Sequence, residues 1–229
     1  LGRVLATAGA QVISGLALGI DVAAHQGAVL AGGTTFAVLA GGVDLCYPKQ
    51  NFNTYVDIMR NGGVISEFPD NTLTRPGMFP LRNRIISGLC DAVIIVEAGM
   101  KSGSLITAAQ ALEQNRQVYA VPGRIGDGNS EGCNHLIWQG AQIVCSYDDL
   151  LAELDLDISD STKTSEKNIL LASDEKMLYS QLLDFSPKSL ETLIKETGMS
   201  QMQVFQALLT LELKGLIKEI SKNFYIRIL

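Results

Sequence analysis

Histidine and cysteine are scarce in this 229-residue chain, which contains 2 His and 4 Cys. The cysteines stand far apart without any C-x-x-C pair, and each lies in or beside an apolar stretch, so we expect reduced core thiols and no disulfides. The histidines, His25 and His135, lack the paired spacing of metal ligands. Because a G-x-S-x-G elbow is also missing, a histidine-based catalytic triad has few ways to form. We expect no metal and no cofactor.

Long apolar runs are absent as well. No segment approaches the roughly 20 apolar residues that span a bilayer, and no signal-peptide pattern opens the sequence. We therefore expect a cytoplasmic protein without a membrane partner. Hydrophobic residues make up 47% and charged residues 18%, which predicts a folded chain with a well-filled core. The length suits one medium domain and one small domain.

Positive charge is in short supply, with 18 Lys and Arg against 24 Asp and Glu and a net charge of -6. Phosphate binding needs cations that replace counterions, so this balance by itself argues against a nucleic-acid partner. The distribution of charge matters more than the total. Arg75, Arg82, Arg84 and Lys101 fall close together in the sequence, and three of them flank turns marked by glycine or proline. A local basic patch on an acidic protein is therefore an open alternative.

Short β-rich runs alternate with helical patterns through residues 1–155, which is typical of a parallel sheet with helices on both faces. We predict an extended Rossmann-like α/β domain. Strands are expected at residues 11–14, 35–39, 64–66, 92–97, 117–121 and 143–144. Helices are expected at residues 21–30, 52–61, 83–89, 104–115, 134–139 and 148–154. In such a sheet the loops that follow the strands share one edge, where ligands bind.

The two ends of this domain have their own signatures. The opening LGRVLATAGA is typical of a helix that leads into a strand, and we expect a first strand to be missing before it. Residues 156–172 are polar and predict a linker. Residues 173–229 show helical patterns at 175–183, 188–197 and 200–214 and a two-strand tail around a Lys222-Asn223 turn, which predicts a winged helix. Its third helix presents glutamines and almost no positive charge, so we expect a protein-contact or weak DNA-contact module.

The stretch from Phe79 to Leu112 is the most informative part of the chain. Arg82 and Arg84 are expected in the first turn of a helix, and guanidinium groups suit phosphate because they form bidentate, charge-assisted hydrogen bonds. Phe79 offers a flat surface on which a nucleobase can stack. The alternative is that Phe79 belongs to the core and that the arginines pair with Glu67 or Glu97. The spacing alone leaves both interpretations open.

Two further segments fall at the same predicted edge. Lys101-Ser102-Gly103-Ser104 follows a strand and opens a helix, which is typical of an anion site, although Ser102 or Ser104 can also serve simply as a helix cap. In SGLALGIDVAAH, Asp21 is expected to cap a helix, and His25 lies one turn further on the same face. We favour a structural hydrogen bond between helix and loop for His25 over a general-base role. No G-x-G-x-x-G follows any strand, so dinucleotide binding lacks support.

Six motifs, taken in order, resemble the DNA-processing protein A family, DprA, also called Smf. They are SGLALGIDVAAHQGA, AVLAGGVDLCYP, ISEFP, FPLRNRIISGL, VIIVEAGMKSGSLITAAQAL and VYAVPGRIGDGNSEGCNHLIWQGA, and they run from residue 14 to about residue 144. Single motifs of this kind are weak, whereas six in order with these spacings are highly specific. The C-terminal winged helix resembles a module that many members carry.

The resemblance implies a dimer that binds single-stranded DNA in a positive pocket and delivers it to the RecA recombinase during natural transformation, without catalysis. The residues on the family's RNR and KSGS motifs, which it implies for DNA binding, are Phe79, Arg82, Asn83, Arg84, Lys101, Ser102, Gly103 and Ser104. Of the residues on its glycine-rich motif, the resemblance also implies Ser14, Gly15 and Gly19 for DNA binding, whereas Asp21 and His25 are expected to be structural. Many members have Arg where this chain has Leu18, so one phosphate contact is expected to be missing. The family's G-S-R segment is also absent from this sequence.

A dimer surface is expected near residues 134–140, with Ile137 and Trp138 as exposed apolar contacts and core packing as the alternative for both.

Two other functions are alternatives to DNA binding. One is a nucleotide-processing enzyme of the lysine-decarboxylase-like Rossmann group, which resembles a phosphoribohydrolase, but this chain lacks that group's P-G-G-x-G-T loop. The other is a purely structural interaction protein. We expect a DNA-binding protein and not an enzyme.

Overall fold

A computed structural model describes residues 1–157, 171–182, 187–221 and 223–227. The chain divides into two compact units, Leu1–Thr162 and Lys163–Leu229. Most of the predicted linker at residues 156–172 lies outside the described residues, and so does Lys222 of the predicted turn, so the linker bounds stay a prediction.

The described residues of the first unit form six short strands that pair in parallel, as the sequence predicts. They are β1 Val12–Ser14, β2 Thr35–Leu39, β3 Gly62–Ser66, β4 Ala92–Ile95, β5 Gln117–Ala120 and β6 Gln142–Ile143. The described strands form two three-stranded sheets, ordered β1-β2-β3 and β4-β5-β6. The edge strands are β1 and β3 in the first sheet and β4 and β6 in the second, and both sheets are parallel, as the sequence predicts.

Helices alternate with these strands, which confirms the predicted α/β architecture. They are α1 Gly2–Thr7, α2 Ile20–Leu30, α3 Phe52–Asn61, α4 Met78–Leu89, α5 Gly103–Glu113, α6 Glu131–Trp138 and α7 Tyr147–Glu153. Helix α4 begins five residues before its predicted start at residue 83, because Pro80 fits the first turn, where a missing N–H costs nothing. Arg82 and Arg84 consequently lie in the second turn and not in the first.

Small and apolar side chains fill the cores beneath the two sheets. Leu16, Leu39 and Ile58 are buried together beneath the first sheet. Ala108 and Ala111 bring α5 close to the second sheet beside Cys133. All four cysteines are free thiols, but Cys145 is exposed, so the expectation of a core position is wrong for that residue. Its strand ends at Ile143, which leaves Cys145 in the following loop.

The described part of the second unit has the three helices and antiparallel sheet of a winged helix, as predicted. Its elements are β7 Lys188–Ser189, α8 Ser173–Ser180, α9 Leu190–Thr197, α10 Gln201–Leu213, β8 Ile217–Ser221 and β9 Phe224–Arg227. Strand β7 replaces the predicted start of a helix at residue 188, because Ser189 accepts the N–H of Thr192 as the cap of α9 while β7 pairs with β9. Leu178, Leu193, Leu208 and Leu211 anchor a core built from this unit alone.

His25 ties α2 to the first sheet. Its Nδ1 lies 2.7 Å from Oγ1 of Thr35, and that hydroxyl donates to the carbonyl of Val12 at 2.7 Å. Because the Thr35 proton is used on Val12, His25 carries its proton on Nδ1 and donates it to Thr35. The expected structural hydrogen bond therefore exists, but its partner is a strand and not the loop. Burial lowers the pKa of His25 to about 4, an effect that nearby Asp21 opposes and Arg82 strengthens.

This buried imidazole predicts a pH-dependent stability. Between pH 6.5, the ordinary pKa of His25, and about 4, the unfolded chain binds a proton that the folded chain excludes. The free energy of unfolding therefore falls as the pH falls through this window, by on the order of 3 kcal/mol. Urea denaturation at several pH values measures the loss. His25→Gln should flatten the dependence and His135→Gln should keep it, whereas equal slopes in both variants would exclude His25 as the source.

Candidate functional site

The loop between β1 and α2 is held by a carboxylate from the helix that follows it. Oδ2 of Asp21 accepts the N–H groups of Gly15 at 3.0 Å and Ala17 at 3.1 Å. The cap position of α2 is Gly19, with φ of 88° and no side-chain cap bond, a backbone conformation that favours glycine. The prediction that Asp21 caps the helix is therefore wrong, because its carboxylate closes the preceding loop instead.

Arg82 is buried beneath this loop, with only 5% of its surface exposed. Its Nη1 donates to the carbonyl of Gly15 at 2.8 Å and to the carbonyl of Val38, and its Nε donates to Oδ1 of Asn83 at 3.1 Å. A Cβ at position 15 would overlap this guanidinium, so a side chain there would displace Arg82 from its hydrogen bonds. Burial lowers the pKa of Arg82, and Asp21 opposes that shift. The side chain connects the loop after β1, the strand β2 and the helix α4.

Arg84 points to the surface two residues further along α4. Its Nη2 forms an ion pair with Glu67, and both side chains are about half exposed. The alternative in which the arginines pair with acidic residues thus applies to Arg84 and Glu67. It does not describe Arg82, whose bonds go to backbone carbonyls and an amide.

Two aromatic rings lie at the start of α4 and in the loop after β2. The ring of Phe79, half-buried, is 6.0 Å from that of Tyr47, with planes inclined at 44°, and 5.9 Å from Cζ of Arg82. Tyr47 is exposed. Exposed aromatic faces are stacking surfaces for nucleobases. The sequence reasoning missed Tyr47, although its place in AGGVDLCYP, at the end of a strand-to-helix loop, was the signal that could have found it.

The KSGS segment forms the N-terminus of α5. Ser102 is the cap residue but makes no side-chain cap bond, and its Oγ lies 2.7 Å from Oγ of Ser104. Lys101 is exposed in the turn just before the helix. Nδ2 of Asn83 reaches the carbonyl of Gly103 at 3.5 Å, which connects α4 with α5. The first N–H groups of a helix lack partners within the helix and face anions favourably.

A cleft of about 610 Å³ brings most of the predicted residues together. The edge strands β1 and β4 line its walls. The predicted site residues that line it are Ser14, Gly19, Asp21, Phe79, Arg82, Asn83, Ser102, Gly103 and Ser104. Gly15 and His25 lie inside the fold beneath it, and Arg84 and Lys101 are not part of its lining.

The charge of the cleft differs from the positive pocket that the resemblance implies. Asp21 and Glu97 contribute carboxylates to its lining, and of the described side chains that line it Arg82 alone is cationic. The guanidinium of Arg82 is engaged by carbonyls, so little of it is offered to a ligand. The exposed cations in or beside the RNR and KSGS motifs include Lys101, Arg84 and, in the loop before α4, Arg75, and Lys49 and Arg124 are exposed in or beside two of the other motifs.

The predicted dimer residues separate into two environments on α6. Ile137 packs against the core around Cys133, so the core alternative applies to it. Trp138 is 81% exposed and stacks on His135 with ring centroids 5.6 Å apart.

Within the described ranges, no group of three or more His, Cys, Asp and Glu is placed to share a metal ion. Across those same ranges, no helix has the length and apolar character needed to cross a membrane.

Two family models match the chain. The model of DNA recombination-mediator protein A matches residues 1–155, and that of the DprA winged helix domain matches residues 162–221. The DNA processing protein DprA of Streptococcus pneumoniae is 49% identical over 144 residues, which are 63% of this chain and 51% of that protein. Protein Smf of Escherichia coli is 36% identical over 228 residues, which are 96% of this chain and 60% of that protein. The chain thus spans between half and two thirds of the length of these relatives.

Solved structures agree with the sequence matches. The DprA of S. pneumoniae superimposes with a TM-score of 0.60 at 45% identity, over 66% of this chain and 55% of the other. The DprA of Helicobacter pylori, whose structure reveals a single-stranded DNA binding mode, superimposes with a TM-score of 0.63 at 32% identity, over 69% of this chain and 72% of the other. With a family model that covers more than half of its residues, the chain belongs to the DNA recombination-mediator protein A family.

Proposed function

We propose that this protein binds single-stranded DNA at the carboxyl edge of its parallel sheets and passes the strand to the RecA recombinase during natural transformation. The observation that carries the proposal is the convergence of three motifs, distant in sequence, on one cleft: the loop after β1, the start of α4 and the start of α5. A relative at 32% identity has a single-stranded DNA binding mode. No catalytic step is part of the proposal.

Bases and phosphates would use different parts of this surface. The Phe79 and Tyr47 rings, 6.0 Å apart, provide a stacking surface that tolerates any base. Lys101 and the N-terminus of α5 provide one phosphate site, and Arg84 provides a second that competes with its ion pair to Glu67. Leu18 is exposed on the loop after β1 and adds apolar contact in place of charge. Few cations take part, so we expect a shallow dependence of affinity on salt.

Substitution of the exposed cations tests the phosphate sites. Lys101→Ala should weaken binding of a labelled single strand and lower the salt slope by about 0.7, the contribution of one phosphate contact on a single strand. Arg84→Ala should weaken binding less, and Glu67→Ala should strengthen it, because Arg84 is then released from its ion pair. Fluorescence anisotropy across a salt series measures all three variants.

Arg60 provides the matched control for these variants. It is an exposed arginine at the C-terminal end of α3, away from the cleft, so Arg60→Ala should leave affinity and slope unchanged. RecA assembly on the strand is the second readout, and Lys101→Ala should slow the assisted assembly. If the Lys101→Ala/Arg84→Ala double variant keeps the wild-type affinity and salt slope, the proposed phosphate sites are wrong. Tight binding of free nucleotides with turnover would favour the phosphoribohydrolase-like enzyme instead.

Arg82 is expected to act through the fold, in contrast to Lys101. Arg82→Ala leaves the carbonyls of Gly15 and Val38 without their buried donor and should lower the free energy of unfolding by about 3 kcal/mol. The folded variant should bind DNA more weakly because the loop after β1 loosens, yet keep the salt slope. Urea denaturation and the same anisotropy series measure the two effects, and Arg82→Lys should restore part of each. A fall in slope equal to that of Lys101→Ala would instead make Arg82 a phosphate contact.

A homodimer through the α6 end is also part of the proposal, with Trp138 as the exposed apolar contact. Trp138→Asp puts a charge into that contact and should give folded monomers at about 1 µM protein, since the side chain is exposed and contributes little to the core. Sedimentation velocity measures the mass, and circular dichroism checks the fold. A wild-type chain that is already monomeric at the start, or a variant that unfolds, would contradict this assignment.

A further inference from the structure

Helix α10 of the winged helix carries a continuous apolar stripe on its outer face. The residues of the stripe and their exposures are Met202 76%, Phe205 54%, Leu209 52% and Leu213 81%. Their spacing of three, four and four residues places them on one side of the helix over three turns. The opposite side of the same helix packs into the core through Val204, Ala207, Leu208 and Leu211. The helix is therefore apolar on two faces, of which its own domain covers one.

The chemistry of this face does not suit nucleic acid. The residues that flank the stripe along α10 are Gln201, Gln206, Thr210 and Glu212. Within the helix the one charged side chain is the carboxylate of Glu212, and no lysine or arginine lies between Gln201 and Leu213. A helix that enters a groove of DNA needs cations for the neighbouring phosphates. An apolar stripe between neutral side chains fits another apolar helix instead.

We propose that the stripe pairs with the same stripe of a second copy of this chain, with the two α10 helices antiparallel. The order of side chains supports pairing with a second copy, because the apolar residues of the stripe are spaced nearly symmetrically about its centre. In an antiparallel pair, Phe205 faces Leu209 of the second copy and Met202 faces the Leu213 end. A two-fold interface of this kind uses one patch twice and must be self-complementary.

Charge agrees with the same arrangement. The antiparallel register brings Glu212 near the Gln201 end of the second copy, which is neutral, and keeps the two carboxylates at opposite ends of the pair. A parallel pair would set Glu212 beside Glu212 of the second copy, and like charges at close range oppose association. The neutral flanks thus permit antiparallel pairing, whereas the two Glu212 carboxylates disfavour parallel pairing.

The size of the contact sets its strength. A 13-residue helix is about 20 Å long, and pairing one face of it buries on the order of 800 Å² in total, less than the roughly 1,200 Å² at which stable specific interfaces begin. We therefore expect a weak contact that strengthens association in a chain already held together elsewhere. Its residues are distinct from those of the single-stranded DNA site and from Trp138, so each contact can be tested separately.

Sedimentation velocity tests the contact in a Trp138→Asp background, which isolates it from the proposed α6 dimer. Over about 1 µM to about 1 mM protein, the average mass should rise toward that of a dimer. Phe205→Glu should raise the dimer Kd at least about tenfold, because it places a charge at the centre of an apolar contact. Met177→Glu is the matched control, since Met177 is 50% exposed on α8 of the same domain but off the stripe.

Disulfide trapping tests the direction of pairing. Met202→Cys and Leu213→Cys variants are mixed, with the exposed Cys145 changed to Ser in both. The antiparallel pair predicts cross-links between the two variants, whereas a parallel pair predicts cross-links within each variant. Circular dichroism confirms that each variant is folded before its mass is interpreted.

Three results would overturn the proposal. The first is a mass that does not change with concentration in the Trp138→Asp background. The second is an equal effect of Phe205→Glu and Met177→Glu, which would remove the stripe as the contact. The third is a loss of single-stranded DNA affinity in Phe205→Glu at unchanged mass, which would assign the stripe to nucleic acid.

Discussion

The hydrogen bonds from the buried Arg82 guanidinium to the carbonyls of Gly15 and Val38 hold the candidate site together. A charge that is 5% exposed is costly unless its donors find acceptors, and here the loop after β1 and the strand β2 supply them. The same contact explains why position 15 has no side chain, since a Cβ would occupy the space of the guanidinium. Asp21 completes the arrangement by accepting the loop N–H groups from the other side.

This arrangement gives the residues of one short motif different tasks. In RNR, Arg82 is internal, Asn83 bridges α4 to α5 through the carbonyl of Gly103, and Arg84 is outside in an ion pair with Glu67. The cleft itself is lined by carboxylates as well as by Arg82. On the proposed DNA-binding surface, the exposed cations therefore lie outside the cleft lining, and the aromatic rings would carry a larger share of the contact. Such a surface favours binding that depends little on base identity.

In the winged helix, one face of α10 is buried in the core and the other is apolar and exposed. Ser200 and Gln203 form a capping box that fixes the start of α10, and the inner face of the helix is buried in a core of its own. The outer face keeps large apolar side chains exposed, from Met202 to Leu213. Exposed apolar stripes of this length are uncommon on surfaces that meet only water. The term winged helix describes the fold of this domain. The apolar outer face of α10 is the surface that we propose pairs with a second copy of the chain.

The sequence by itself determined the order and type of the strands and α-helices described in the first unit, because periodicity and turn residues are local signals: β2 and α3 occupy their predicted residues 35–39 and 52–61. It also placed three motifs at one edge, since parallel strands end together. Only the tertiary structure decided that Arg82 is internal and Arg84 external, that Asp21 binds a loop and not a helix end, and that Tyr47 joins Phe79. These outcomes depend on partners between 4 and 67 residues away in sequence, and spacing alone does not show which carbonyl, carboxylate or ring a side chain will meet.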